Sequence, residues 1–200
     1  MKTLLFSLAV LASPCLAETL TQGERDRLMS EMHATRKRFL DSIAGLSEKQ
    51  WNFKPDEKTW SVAECAEHIT LSENFIFDLV TQKLMQTPAA PEKKDLAKGK
   101  DEFMMTAIRD RSAKFQAPEP LKPSTRQWPT IDAVSKEFRA RRDAHIAYVQ
   151  TTQDDLRNHF LDHPVAKTAD GYQWLIMVSA HSDRHVAQIL ELKARPDFPK

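Results

Sequence analysis

Between Leu20 and Ala44 the apolar side chains Leu28, Met32, Phe39 and Ile43 fall on one stripe of a 3.6-residue period, and Gly45 supplies the stop. A polar connector follows, LSEKQWNFKPDEKTW, with Trp51, Phe53 and Trp60 set around Pro55. The helical pattern resumes at Ser61. Ser61 as N-cap and Glu64 three residues on form a capping box, which opens a helix to about Met85 with Val62, Cys65, Ile69, Ile76, Leu79 and Val80 available for burial. A proline- and lysine-rich loop, QTPAAPEKKDLAKGK, leads into a shorter helical piece from Asp101 to Lys114, and APEPLKPSTRQWPT reads as a second loop. Thr130 or Asp132 starts a third long helix through Val134, Phe138, Ile146 and Val149 to about Leu156. HFLDHPVAKTADG reads as loop, and the last helix runs from Tyr172 to Ala194, stopping before Pro196. Four long helices with a long loop and short-helix excursion between the second and third predict an all-α fold, a four-helix bundle.

Composition agrees with that reading. The chain holds 4 glycines against 11 prolines, which favours helices joined by proline-marked loops. Its formal net charge of +1 gives no footing for nucleic acid as a partner. The first residues set the compartment. In MKTLLFSLAVLASPCLAETL, Lys2 precedes an apolar run from Leu4 to Ala12, and small residues lead to Ala17. Residues 1–17 therefore read as a secretory signal peptide cut after Ala17, leaving one domain of residues 18–200. The apolar run is too short to span a bilayer. A lipid anchor on Cys15 fits less well, because Pro14 precedes that cysteine and Ala12 stands where a leucine is usual. Loss of Lys2 takes the basic residues from 29 to 28, equal to the acidic ones, so the mature chain is neutral. Only Cys65 then remains, and no internal disulfide can form. The expectation is a periplasmic or secreted protein with a small-molecule substrate and no membrane contact after cleavage. The oligomeric state stays open, a homodimer included.

The chemistry lies in the histidines: His33, His68, His145, His159, His163, His181 and His185. On the last helix the inward stripe can be written Trp174, Val178, His181, His185, Gln188 or Ile189, and Leu192. Side chains four apart stand over one another, about 5–6 Å between Cβ atoms. His181 and His185 can thus converge on one cation, as in zinc enzymes with H-x-x-x-H on a helix, although no glutamate base follows the first histidine. His68, one turn after Cys65 and near the apolar face of its helix, offers a third imidazole. Three neutral imidazoles leave the open coordination of catalytic zinc. The competing reading is a set of satisfied core histidines. His159 and His163 share the same spacing, and Pro164 disfavours helical geometry at His163. The neighbours divide in the same way. Arg184 either binds a substrate anion or pairs with Glu64 or Glu67. Cys65 is a fourth ligand, a thiol nucleophile or an inert buried residue. Gln188 donates to a ligand or fills a polar gap. Trp60 and Trp174 read as core or pocket wall.

Three features go further. They are the Trp-Ser-x-x-x-x-x-x-His opening of the second helix (Trp60, Ser61, His68), the His163–Pro164 loop, and H-x-x-R-H-x-x-Q-I at His181, Arg184, His185, Gln188 and Ile189. With these motifs the chain resembles the DinB-like superfamily over essentially its whole mature length, and the last signature is the most specific. The resemblance implies a four-helix bundle, a metal-dependent enzyme and a metal triad of His68, His181 and His185. It also implies a choice of reaction, between hydrolases and transferases that use low-molecular-weight thiols. The signal peptide argues against the thiol branch, since such thiols are kept reduced in the cytosol. The expected cofactor is a divalent metal ion, zinc first, with nickel or another ion as the alternative. The expected role is activation of water in a hydrolase-like reaction. The rival is a non-catalytic secreted bundle that binds a metal or a small ligand. N-terminal sequencing of protein from its native host should find Glu18 as the first residue; a retained Met1 would remove the extracytoplasmic assignment.

Overall fold

Thr21 opens the first helix as a capping box with Glu24: its side chain accepts from the Glu24 N–H, and the Glu24 carboxylate accepts from Thr21 N–H at 2.8 Å. This chain is described by a computed structural model covering residues 19–123 and 127–200, so the signal-peptide reading of residues 1–17 lies outside the described residues. Helix α1 spans Gln22–Ile43 and ends before Gly45, whose φ of 68° is the left-handed conformation that a glycine adopts freely. The connector holds one short helix, α2 (Glu48–Trp51), which buries Trp51. Ser61 and Glu64 form a further capping box, after that of Ser47 and Gln50 at α2, and start α3 (Val62–Asp78). The helical path continues beyond Asp78 as a π-helical turn, Leu79–Lys83, and a 3-10 turn, Leu84–Gln86. The second helix therefore extends close to its expected end, but its last turns are wound differently.

The excursion contains α4 (Lys94–Ala97), α5 (Asp101–Arg109) and a 3-10 turn at Glu119–Leu121. Helix α6 follows at Ile131–Thr151. The stretch expected as loop after it contains a hairpin instead: β1 (Phe160–His163) pairs antiparallel with β2 (Lys167–Asp170), Phe160 opposite Asp170. Strands of four residues carry too little alternation to be read from sequence, and Pro164 lies in the turn, not in a strand. His163 closes that turn. Its Nδ1 accepts the N–H groups of Val165 and Ala166, both at 3.1 Å. Asp170 then caps α7 (Gly171–Lys193) in another capping box with Gln173. A Cβ on Gly171 would stand 2.8 Å from Leu156 Cδ2 and 3.0 Å from the Leu156 carbonyl, so a larger residue where α7 starts would have to push Leu156 aside.

The fold is mostly helical, with this one small sheet among the described residues. Helices α1 and α3 each pack on both α6 and α7, and α5 packs on α7. No described helix is long and apolar enough to cross a membrane. Apolar burial falls into two clusters. One gathers Leu28, Met32, Val80, Leu84, Met104 and Leu175; the other gathers Phe39, Ile43, Cys65, Ile69, Phe138 and Ile189. In the second, the Phe39 and Phe138 rings lie 4.4 Å apart. Each such fully buried side chain stabilises the fold by about 1.5–3 kcal/mol relative to exposure.

Two arginines end helices by taking the carbonyls that no intrahelical N–H can reach. Arg25 of α1 donates to the carbonyls of Val149 (2.6 Å) and Thr152 (2.7 Å) at the end of α6. Arg184 of α7 donates to the carbonyls of Ile108, Asp110 and Ala113, where α5 stops. These contacts explain why α6 ends at Thr151 and not near Leu156, and why α5 ends at Arg109 and not at Lys114.

A third arginine, Arg142 of α6, is wholly buried. Its guanidinium pairs with Glu73 of α3 through Nε (2.9 Å) and Nη2, and donates to Thr35 Oγ1 (2.5 Å), the Met32 carbonyl (2.8 Å) and Ser182 Oγ (3.0 Å). Four helices meet at this one side chain. Burial alone would raise the Glu73 carboxyl, but the Arg142 charge and its hydrogen bonds, with a smaller contribution from His145, hold it at about 2. Removing one member of such a pair leaves an uncompensated buried charge. Arg142→Met should therefore cost about 3–5 kcal/mol in urea unfolding. The double variant Arg142→Met/Glu73→Leu should recover much of the loss, and equal losses in both would show that the ion pair does not carry the effect.

Candidate metal centre

Helices α3 and α7 bring three of the seven histidines together. The capping box at Ser61 sets the first turn of α3, which places His68 on the face that packs against α7. His181 and His185 stand on successive turns of α7. One nitrogen from each of the three imidazoles lies within 4.8 Å of the other two, and His68 Nε2 is 3.2 Å from His181 Nε2. The ring centroids are 4.4–5.0 Å apart. His68 and His185 are buried and His181 is partly exposed. Trp60, next to the cap, forms one wall: its ring lies 4.8 Å from that of His68 and stacks at 6.0 Å on His185.

The outer nitrogens decide the tautomers. His68 Nδ1 is 2.7 Å from the Leu121 carbonyl, an acceptor only, so this nitrogen carries the hydrogen. His185 Nδ1 is 2.9 Å from Gln188 Oε1 and donates to it. In both neutral rings Nε2 is then a bare lone pair facing the shared centre. All three histidines are held below the ordinary imidazole range. Burial is the main cause for each; at His181 the neighbouring His185, His68 and Arg184 add to it, and His185 is brought down to about 3 by burial and then by His68. Neutral imidazoles are the protonation state a metal requires. His68 Nε2 accepts from His181 Nε2 at 3.2 Å, a hydrogen that a bound metal would replace, and three imidazole nitrogens gathered this closely fit a divalent cation. Two nitrogens on a tetrahedral zinc stand about 3.3 Å apart, the edge that follows from bonds of 2.0–2.1 Å. The His68–His181 pair already has that separation.

The other candidates take different places. Cys65 is fully buried in the apolar cluster with Ile69 and Phe138, and burial pushes its thiol well above the usual range. It is not part of the histidine group. Arg184 lies under the Phe115 ring, at 5.1 Å, with its donors on the three backbone carbonyls that end α5. Its partners are not Glu64 or Glu67; Glu64 instead pairs with Lys54 at 3.0 Å. Gln188 touches His185 directly. The remaining histidines are elsewhere. His163 holds the hairpin turn, its pKa lowered to about 4 by burial, with Nε2 3.2 Å from Met177 Sδ. His145 stacks on Phe77 at 4.0 Å, and His159 approaches Thr87. Two groups had no sequence signal. The Leu121 carbonyl is a backbone atom, and Arg111 is a loop residue whose Nη1 reaches Gln188 Oε1 at 3.4 Å.

Comparison with known proteins gives the same frame. The uncharacterized protein YuaE of Bacillus subtilis (strain 168) is 25% identical over 169 residues, covering 84% of this chain and 98% of that protein. No solved structure matches the chain. A family model described as the DinB superfamily matches residues 31–189, a span that holds all three clustered histidines. The chain belongs to the DinB superfamily.

Proposed function

We propose that His68, His181 and His185 hold one divalent metal ion, zinc first, in a four-helix bundle of α1, α3, α6 and α7, and that the protein is a metal-dependent enzyme of hydrolase type acting on a small molecule. The observation that carries this reading is the convergence of three neutral imidazoles on one point with no carboxylate or thiol joining them among the described residues. Three protein ligands leave coordination positions for solvent and substrate, the arrangement of catalytic zinc and not of a closed structural site. When bound, the metal supplies a Lewis acid and lowers the pKa of a water molecule to the neutral range. The protein's own part is to hold the imidazoles neutral and aimed, through the Leu121 carbonyl and Gln188, and to wall one side with Trp60. Cys65, buried and protonated, takes no part in the reaction. Export through residues 1–17 would place the protein in the periplasm or outside the cell, where reduced small thiols are scarce, and this favours water over a thiol as the attacking group. The absence of a general base on α7, where Ser182 and not a glutamate follows His181, favours a second reading, a non-catalytic metal- or ligand-binding bundle, which the same experiments separate.

Elemental analysis of the protein purified without a histidine tag should find roughly one divalent ion per chain. His185→Ala should abolish binding, whereas His159→Ala and Cys65→Ser should leave it. Chelation should leave the circular dichroism spectrum helical, because the core is built without the ion. Unfolding on chelation, or loss of metal in Cys65→Ser as complete as in His185→Ala, would mark a closed structural site. The pH dependence has a definite sign. Burial lowers the ligand pKa values, so the neutral binding form persists below the unperturbed histidine value of about 6.5. Metal should be fully retained at pH 6.5 and be released only in stronger acid; half-release at 6.5 or above would show that burial does not protect these imidazoles.

A further inference from the structure

His185 presents Nε2 to the centre because its other nitrogen is occupied, and the occupant can be identified atom by atom. Gln188 Oε1 stands 2.9 Å from His185 Nδ1 and 3.4 Å from Arg111 Nη1. A guanidinium only donates, so the atom it faces is the amide oxygen and not the amide nitrogen. The same oxygen then accepts from His185, which carries its hydrogen on Nδ1. Arg111 is itself fixed, donating to both carboxylate oxygens of Glu191 at 3.0 and 2.7 Å, one turn beyond Gln188 on α7. The segment that begins at Arg111 ends at Leu121, whose carbonyl sets the tautomer of His68. Both outer partners are therefore uncharged oxygens, one an amide and one a peptide carbonyl. A carboxylate in either place would make the imidazole more basic and the metal less electrophilic.

We propose that Gln188, oriented by Arg111, is the positioning residue of this centre: it fixes His185 as an Nε2 ligand and, being neutral, keeps the bound metal strongly acidic. The inference rests on reading His68, His181 and His185 as a metal site. Gln188 and Arg111 are both only partly buried, so their substitution leaves the core intact.

The test is titration of the full chain with Co²⁺, followed by visible absorption and equilibrium dialysis, with circular dichroism as the control for folding. Gln188→Ala should weaken Co²⁺ binding by about 10–100-fold. Arg111→Ala should weaken it less, because the amide oxygen then loses its orientation but not its presence. Gln188→Glu should bind Co²⁺ more tightly than the wild type and shift the pH midpoint of the Co²⁺ spectrum upward, a change that a purely structural role would not produce. Binding by Gln188→Ala within about twofold of the wild type, with an unchanged spectrum, would overturn the positioning role while leaving the triad a metal site. A midpoint unmoved or lowered in Gln188→Glu would overturn the role of neutrality. Failure of the wild type to take up Co²⁺ would overturn the inference together with the metal reading beneath it.

Discussion

The ion pair between Arg142 and Glu73 fixes how the helices meet. Glu73 lies five residues beyond His68 on α3, and its Oε1 accepts from Ser182, the residue after His181 on α7, at 2.9 Å. Arg142 bonds both Glu73 and Ser182 from α6, and its contacts with Thr35 and the Met32 carbonyl draw in α1. A shift of one helix along another would strand a buried charge, which an apolar seam would not prevent. The register of α3 on α7 is thereby pinned within two turns of the histidines. That register is what brings His68 within reach of His181 and His185.

The excursion between α3 and α6 is part of the same construction. Arg184, one turn from His181, draws the end of α5 onto α7 through backbone carbonyls. The chain leaving that point supplies Arg111 to Gln188 and then the Leu121 carbonyl to His68. An arginine inside the H-x-x-R-H motif thus organises the surroundings of the site without facing the centre. Its positive charge also helps keep His181 and His185 neutral, after burial and the neighbouring imidazoles.

Much of this was legible in the chain because it rests on local rules. The Ser61–Glu64 capping box, the stop at Gly45 and the apolar stripes each depend on residues within a few positions of one another, and the structure has them where the pattern puts them. The histidines that meet in space were readable for a related reason: the i, i+4 spacing on α7 and the place of His68 on the apolar face of α3 are local, and the family resemblance adds weight to all three. What stayed hidden depends on long-range contacts with groups that have no sequence identity. Arg25 and Arg184 end helices through carbonyls on distant elements, so the limits of α6 and α5 did not follow from periodicity. The hairpin of β1 and β2 is held by main-chain pairing and by His163, whose spacing from His159 reads as a ligand pair and not as a turn clasp. Arg111 carried no signal, because its loop is placed only once α5 has docked.

The central claim is that three Nε2 lone pairs, and no sulfur, form an open metal site. X-ray absorption spectroscopy of the zinc-loaded protein reads the ligand set directly. Three imidazole nitrogens are expected at about 2.0–2.1 Å, completed by an oxygen donor, with no scatterer at the zinc–sulfur distance of about 2.3 Å. A sulfur shell would place Cys65 on the metal, and four imidazoles would close the site; either result would contradict it.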